Sequence, residues 1–101
     1  MIVTDVSGLP LPGKDQEVIA IDKEMLAYWD TRWPLTRPRW VSVDLSGDLG
    51  RVHLVAVKAS LAEREQQQAE QAADPTRQAL GRELDALTVP GSGRAAIRRR
   101  V

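Results

Sequence analysis

Trp40-Val41-Ser42-Val43-Asp44-Leu45-Ser46-Gly47-Asp48-Leu49-Gly50-Arg51-Val52-His53-Leu54-Val55-Ala56-Val57 is the stretch on which the fold turns. Two valine-rich runs flank a segment of serine, glycine and aspartate, the chemistry of a β-hairpin loop. Pairing Leu45 with Gly50 leaves a four-residue loop and sets Asp44 opposite Arg51, Val43 opposite Val52 and Val41 opposite Leu54. One face of the hairpin is then apolar. The other carries the expected Asp44–Arg51 ion pair, Ser42 beside His53 and Trp40 beside Val55. A slip of one residue would mix the two sets, so the pattern selects this register.

Upstream, Met1–Val6 alternates as a short strand that can extend the sheet, and Ser7 to Gly13, with two prolines and two glycines, reads as irregular. From Asp15 to Trp33 the residues Val18, Ile21, Met25, Trp29 and Trp33 recur three and four apart, with Lys23, Glu24 and Asp30 on the opposite side. That spacing predicts one amphipathic helix ended by Pro34. The alternative is a strand over Glu17–Ile21 followed by a shorter helix capped by Asp22. The stripe runs through that break and favours the single helix.

Downstream, Ser60-Leu61-Ala62-Glu63 is a capping box, and a Glu/Gln-rich helix follows it to Ala73. Its apolar stripe is alanine, at Ala62, Ala69 and Ala73, which predicts a surface helix. Asp74-Pro75 restarts a helix with Leu80, Leu84 and Leu87 on one face, as a hairpin or a kinked rod. The expected fold is α+β: a small single domain over 1–90, with a hairpin-centred antiparallel sheet, one N-terminal amphipathic helix and a helical region at 60–88. Residues 91–101 read as a linker and a basic C-terminal arm.

The chain has 101 residues, 14 basic and 14 acidic, one histidine and no cysteine. Disulfides, thiolate metal sites and cysteine nucleophiles are excluded. The longest apolar run, Leu54-Val55-Ala56-Val57, is far below the roughly 20 residues of a membrane span. No signal peptide is recognisable, so a cytoplasmic protein, or one built into a larger assembly, is expected. His53 sits mid-strand, remote from any serine elbow. Gly47-Asp48-Leu49-Gly50 lacks the lysine and helix of a phosphate loop, and the carboxylates follow no metal-loop spacing. The chain reads as non-enzymatic, without metal or cofactor.

Two segments invite a partner. Trp29 to Trp40 holds all three tryptophans with Arg32, Arg37 and Arg39, residue types enriched in binding hot spots. Trp29 and Trp33 belong to the helical stripe and read as core. Trp40, on the polar face of the hairpin between Arg37 and Arg39, reads as a contact residue. The tail carries Arg94, Arg98, Arg99 and Arg100 with no acidic residue, suiting it to phosphates or to an acidic protein surface. The net charge of zero thus hides segments of −1 over 1–59, −3 over 60–90 and +4 over 91–101. These features predict a small assembly protein docking into a larger complex, such as a virion or another bacterial or phage assembly. A protein partner or homo-oligomer would engage the Trp/Arg segment and the extended termini, the arm of one copy lying on the acidic helices of another. The alternatives are a nucleic-acid-associated regulator using the arginine tail, or an inhibitor occupying a partner's nucleic-acid surface.

Overall fold

The computed structural model describes residues 1–32 and 37–101. Along the chain these form β1 (Ile2–Gly8), α1 (Asp15–Arg32), β2 (Arg39–Val43), β3 (Val52–Lys58), α2 (Leu61–Ala72), α3 (Pro75–Leu87) and β4 (Arg94–Arg99). The strands make one antiparallel sheet in the order β2-β3-β1-β4. Each crossover, β1 to β2 through α1 and β3 to β4 through α2 and α3, skips one strand, the split β-α-β arrangement.

The hairpin has the register its side-chain pattern selects. Val43 lies opposite Val52, Ser42 opposite His53, Val41 opposite Leu54 and Trp40 opposite Val55. The ladder continues one residue further, where the Asp44 amide donates to the Arg51 carbonyl at 3.0 Å. The anticipated Asp44–Arg51 ion pair is not the one made. Arg51 turns to Asp48, with Nε 3.1 Å from Oδ2, while Asp44 stands 3.0 Å from His53 Nε2. Burial explains the exchange. Arg51 is 3% exposed, and its guanidinium also donates to Ser7 Oγ and to the Ser92 carbonyl, which Asp44 alone could not replace.

α1 is a single helix through Arg32, so the strand alternative over Glu17–Ile21 is excluded; Trp33 and Pro34 lie outside the described residues. Met25 and Trp29 meet Leu54 and Leu80 in the core, as the stripe requires. At α2 the capping box forms: Ser60 Oγ accepts from the Glu63 amide at 3.2 Å, and the Glu63 carboxylate reaches back to the Ala59 amide. At α3, Asp74 accepts from the Arg77 amide at 3.0 Å with Pro75 in the first turn. α2 has no buried residue, in line with a surface helix.

Two expectations fail at the ends of the sheet. Ser7 and Gly8 continue β1 instead of leaving it, because both β3 and β4 pair along it. The C-terminal segment is no free arm. Arg94–Arg99 is β4, and it pairs with β1 from Ile2↔Arg99 to Ser7↔Arg94. The segment read as a linker is a turn: the Ser92 amide donates to the Val89 carbonyl at 3.1 Å, Pro90 supplies the fixed φ, and Gly91 takes φ +78°. That turn steers the chain out of α3 onto β1, whose backbone groups would otherwise face solvent on that side. An arm committed to its own sheet cannot also lie on the acidic helices of a second copy.

Candidate functional site

The helices pack mainly on β2, β3 and one another, so the β1–β4 half of the sheet's inner face is covered less closely. A cavity of about 500 Å³ opens there. Thr4, Val6, Ala56, Ala95 and Ile97 are on its floor, and Val18, Asp22, Met25 and Trp29 form the α1 wall. The floor is apolar and reachable: Val6 is 55% and Ile97 45% exposed. Small side chains at Ala56 and Ala95 keep it low. This volume falls within the roughly 300–1,000 Å³ typical of small-molecule sites.

Two polar groups are sunk into the apolar wall. Asp22 is 4% exposed, and its Oδ1 has no hydrogen-bond partner among the described residues. Burial pushes the carboxyl up to about 6, which is the response of a carboxylate denied both water and a counter-charge. Trp29, two helical turns on, is 7% exposed, and its indole N–H is likewise unpaired among the described residues. One acceptor, or protonated donor, and one donor thus share the cavity wall. Neither group contributes a bond to the fold itself, and an unsatisfied buried polar group is costly. Asp22 was legible in one respect: it falls four residues after Val18 and three before Met25, a carboxylate on the apolar stripe.

The far wall belongs to α2 and α3, and here the surface assigned to alanine is reversed. Ala62, Ala69 and Ala73 are exposed, while Arg64, Gln67 and Gln71 are half-buried. Arg64, Gln68 and Gln71 line the cavity with Arg77 and Gln78 from α3. Lys58, at the end of β3, is 6% exposed, lines the same space and donates to Gln67. Burial, then the neighbouring charges of Arg39 and Arg64, hold its ammonium below the usual lysine range against the opposite pull of Glu63.

The residues singled out as a partner surface are dispersed. Arg39 points inward: its side chain is 4% exposed, 3.3 Å from Asp30, with the guanidinium 5.4 Å from the Trp29 ring centroid. Arg32 faces Asp74 at 3.7 Å and Arg37 faces Glu63 at 3.9 Å. Trp40 is 43% exposed on the sheet face away from the helices. That outer face also takes up two of the tail arginines, Arg94 and Arg98, whereas Arg99 shares the inner face with Ile97. Arg94 lies 2.9 Å from Asp48 and Arg98 3.4 Å from Asp5, while the Arg100 amide donates to the Met1 carbonyl at 3.1 Å; Arg99 sits opposite Ile2 in the ladder. Between β2 and β1, His53 is held by Asp5, 2.9 Å from Nδ1, and Asp44. Burial works against its charged form, but the two carboxylates outweigh it and raise the imidazole above its ordinary value. Among the described residues no cluster of metal-ligating side chains occurs, and no helix is long and apolar enough to cross a membrane.

No family model and no curated protein matches the sequence. Solved structures do match the fold. An uncharacterised NIPSNAP domain protein from Burkholderia xenovorans superposes with a TM-score of 0.81 at 19% identity, covering 100% of this chain and 95% of that one. A NIPSNAP family protein from Agrobacterium tumefaciens gives 0.79 at 23% identity, over 99% and 92% of the two chains. A protein described as an antibiotic biosynthesis monooxygenase gives 0.72 at 17% identity, over 100% and 99%. At these identities the likeness establishes the fold alone. It overturns the reading of the chain as a virion or phage assembly protein: the fold is shared with NIPSNAP domain and monooxygenase-type proteins over nearly their whole length, not with assembly subunits.

Proposed function

We propose that the chain is a small-molecule-binding domain whose site is the cavity between α1, α2, α3 and the β1–β4 half of the sheet, with Asp22 exchanging a proton or hydrogen bond with the bound molecule. The observation that carries this reading is the Asp22 carboxyl: 4% exposed, Oδ1 unpartnered among the described residues, and raised to about 6 in the wall of a 500 Å³ cavity. A perturbed carboxyl in a largely apolar pocket is the usual mark of a binding or acid–base site. Just above its midpoint such a group is ionised and poorly solvated, and it accepts a proton more readily than an exposed aspartate does. The Trp29 indole N–H can donate to an oxygen on the same molecule, and Val18, Met25 and Leu54 supply apolar contact. The chemistry open to this arrangement is proton transfer at a bound, mainly apolar substrate. The expectation of a non-enzymatic chain gives way here to the proposal of a site equipped for acid–base work.

The test is titration with N-phenyl-1-naphthylamine, a neutral apolar fluorophore carrying one N–H donor. One saturable site per chain is expected, with affinity rising as pH passes upward through about 6 and Asp22 ionises. Asp22→Asn should remove the pH step. Ala95→Trp, which fills the floor, should abolish binding. Binding that survives Ala95→Trp, or no saturable binding by the folded protein, overturns the proposal.

A further inference from the structure

The cavity is asymmetric in charge. Its α1 wall holds a single buried carboxyl, Asp22, raised to about 6, whereas the α2–α3 side presents Lys58, Arg64 and Arg77. Among the described residues, none of these three cations has a carboxylate within ion-pair distance, although Arg32, Arg37, Arg39, Arg51, Arg94 and Arg98 each have one. The other acidic residues on the lining do not answer them. Asp5 is taken by His53 and Arg98 on the opposite sheet face, and Asp85 lies two helical turns beyond Arg77 at the exposed end of α3. The inward face of α2 is polar where a helix packed for stability would be apolar, with Gln68 and Gln71 beside Arg64. Lys58 is the most telling of the group. It is buried to 6% exposure, its hydrogen-bond partner is the neutral Gln67, and the fields of Arg39 and Arg64 act on it against that of Glu63, which stands beyond ion-pair distance. A buried ammonium with no carboxylate in direct contact gains when an anion joins it.

We infer that the ligand is an organic anion, with an apolar body on the β1–β4 floor against α1 and a carboxylate- or sulfonate-type group held at the α2–α3 end by Lys58, Arg64 and Arg77. This deepens the cavity proposal and rests on it. Arginine suits such a group because its fork of donors matches a carboxylate or sulfonate, and Gln68 and Gln71 can donate to further oxygens. The direction of the molecule in the cavity follows. Its charged end faces α2, and its body, with any exchangeable proton, faces Asp22 and Trp29.

The experiment compares 8-anilino-1-naphthalenesulfonate with N-phenyl-1-naphthylamine, the same skeleton without the sulfonate. Expected is a tenfold or greater preference for the sulfonate, shrinking as salt rises. Lys58→Gln/Arg64→Gln and Arg77→Gln should each erode that preference while leaving affinity for the neutral dye within twofold. Arg94→Gln/Arg98→Gln, on the outer face of β4, should change neither. Near-ultraviolet circular dichroism and the neutral dye's own binding report that each variant is folded. Equal affinity for the two dyes overturns the anion inference and leaves the cavity reading standing. Failure of both dyes to bind the folded protein defeats the cavity reading itself. A sulfonate preference that the β4 substitutions remove, and the α2–α3 ones do not, assigns it to the wrong surface and also overturns the inference.

Discussion

The Tyr28 hydroxyl donates a 2.6 Å hydrogen bond to Asp74, the residue that caps α3. One buried carboxylate therefore serves two elements: it begins α3 and fastens α3 to the C-terminal part of α1, with Arg32 3.7 Å away. It joins the α1 and α3 walls of the cavity alongside the core packing of Leu80 on Met25 and Trp29.

Asp74→Ala should lower the melting temperature more than Tyr28→Phe, since it removes the cap as well as the cross-helix bond. The double variant should cost less than the sum of the two single ones, because both delete the same bond. The Tyr28 hydrogen bond, then the Arg77 amide, hold the Asp74 carboxyl below its ordinary value. Its contribution is thus present above the unfolded-state value and is lost as pH falls through the folded one. Thermal melts of the four proteins check this. Strict additivity would contradict the shared bond.

Asp22 titrates with the opposite sign. Its folded value, about 6, lies above the unfolded 3.8, so this group's cost is absent below roughly pH 4 and complete above the folded midpoint. A shift of this size corresponds to something on the order of 3 kcal/mol. Asp22→Asn should flatten the stability profile between those limits and melt higher than the native chain at pH 7. Denaturant titrations at several pH values measure it, and an unchanged profile would show that the carboxyl is solvated.

His53 acts at higher pH. Asp44 and Asp5 raise its folded value over the opposing effect of burial, so its stabilisation is full below the unfolded value of 6.5 and declines as pH rises through the folded one. His53→Gln should remove that decline and leave the Asp22 window untouched. Chemical shifts of the single imidazole give its midpoint directly, which must lie above 6.5.

Truncation after Gly93 should abolish cooperative unfolding or cause aggregation, since β1 loses its β4 partner and becomes an open edge. Replacing Arg94, Arg98, Arg99 and Arg100 with glutamine should be tolerated, at a cost of about 0–1 kcal/mol per surface ion pair removed. Circular dichroism melts separate the two cases. A truncated chain that melts like the full one would mean that β4 adds little to the sheet.

Much of the scaffold was written in neighbouring residues. The alternation of Val41, Val43, Val52 and Leu54 determined the hairpin register. The stripe from Val18 to Trp29 determined α1, and Ser60 and Asp74 determined where α2 and α3 begin. Each is a short-range matter of side-chain periodicity or of a cap three residues from its amide. Tertiary structure alone decided the rest. Arg94–Arg99 has the composition of a loose arm, and it became a strand because β1, some ninety residues earlier, offered an unpaired edge. Arg51 exchanged Asp44 for Asp48, Ser7 and Ser92 because those groups meet only in the folded sheet. Asp22 stood visibly on an apolar stripe, and the Arg64–Gln71 face of α2 looked solvated. Both face the same cavity through the way the helices sit on the sheet. Periodicity is a property of adjacent residues and survives in the unfolded chain. Strand pairing, desolvation and the fields of distant charges arise only when remote segments exclude water from one another, and those are the forces that made the site.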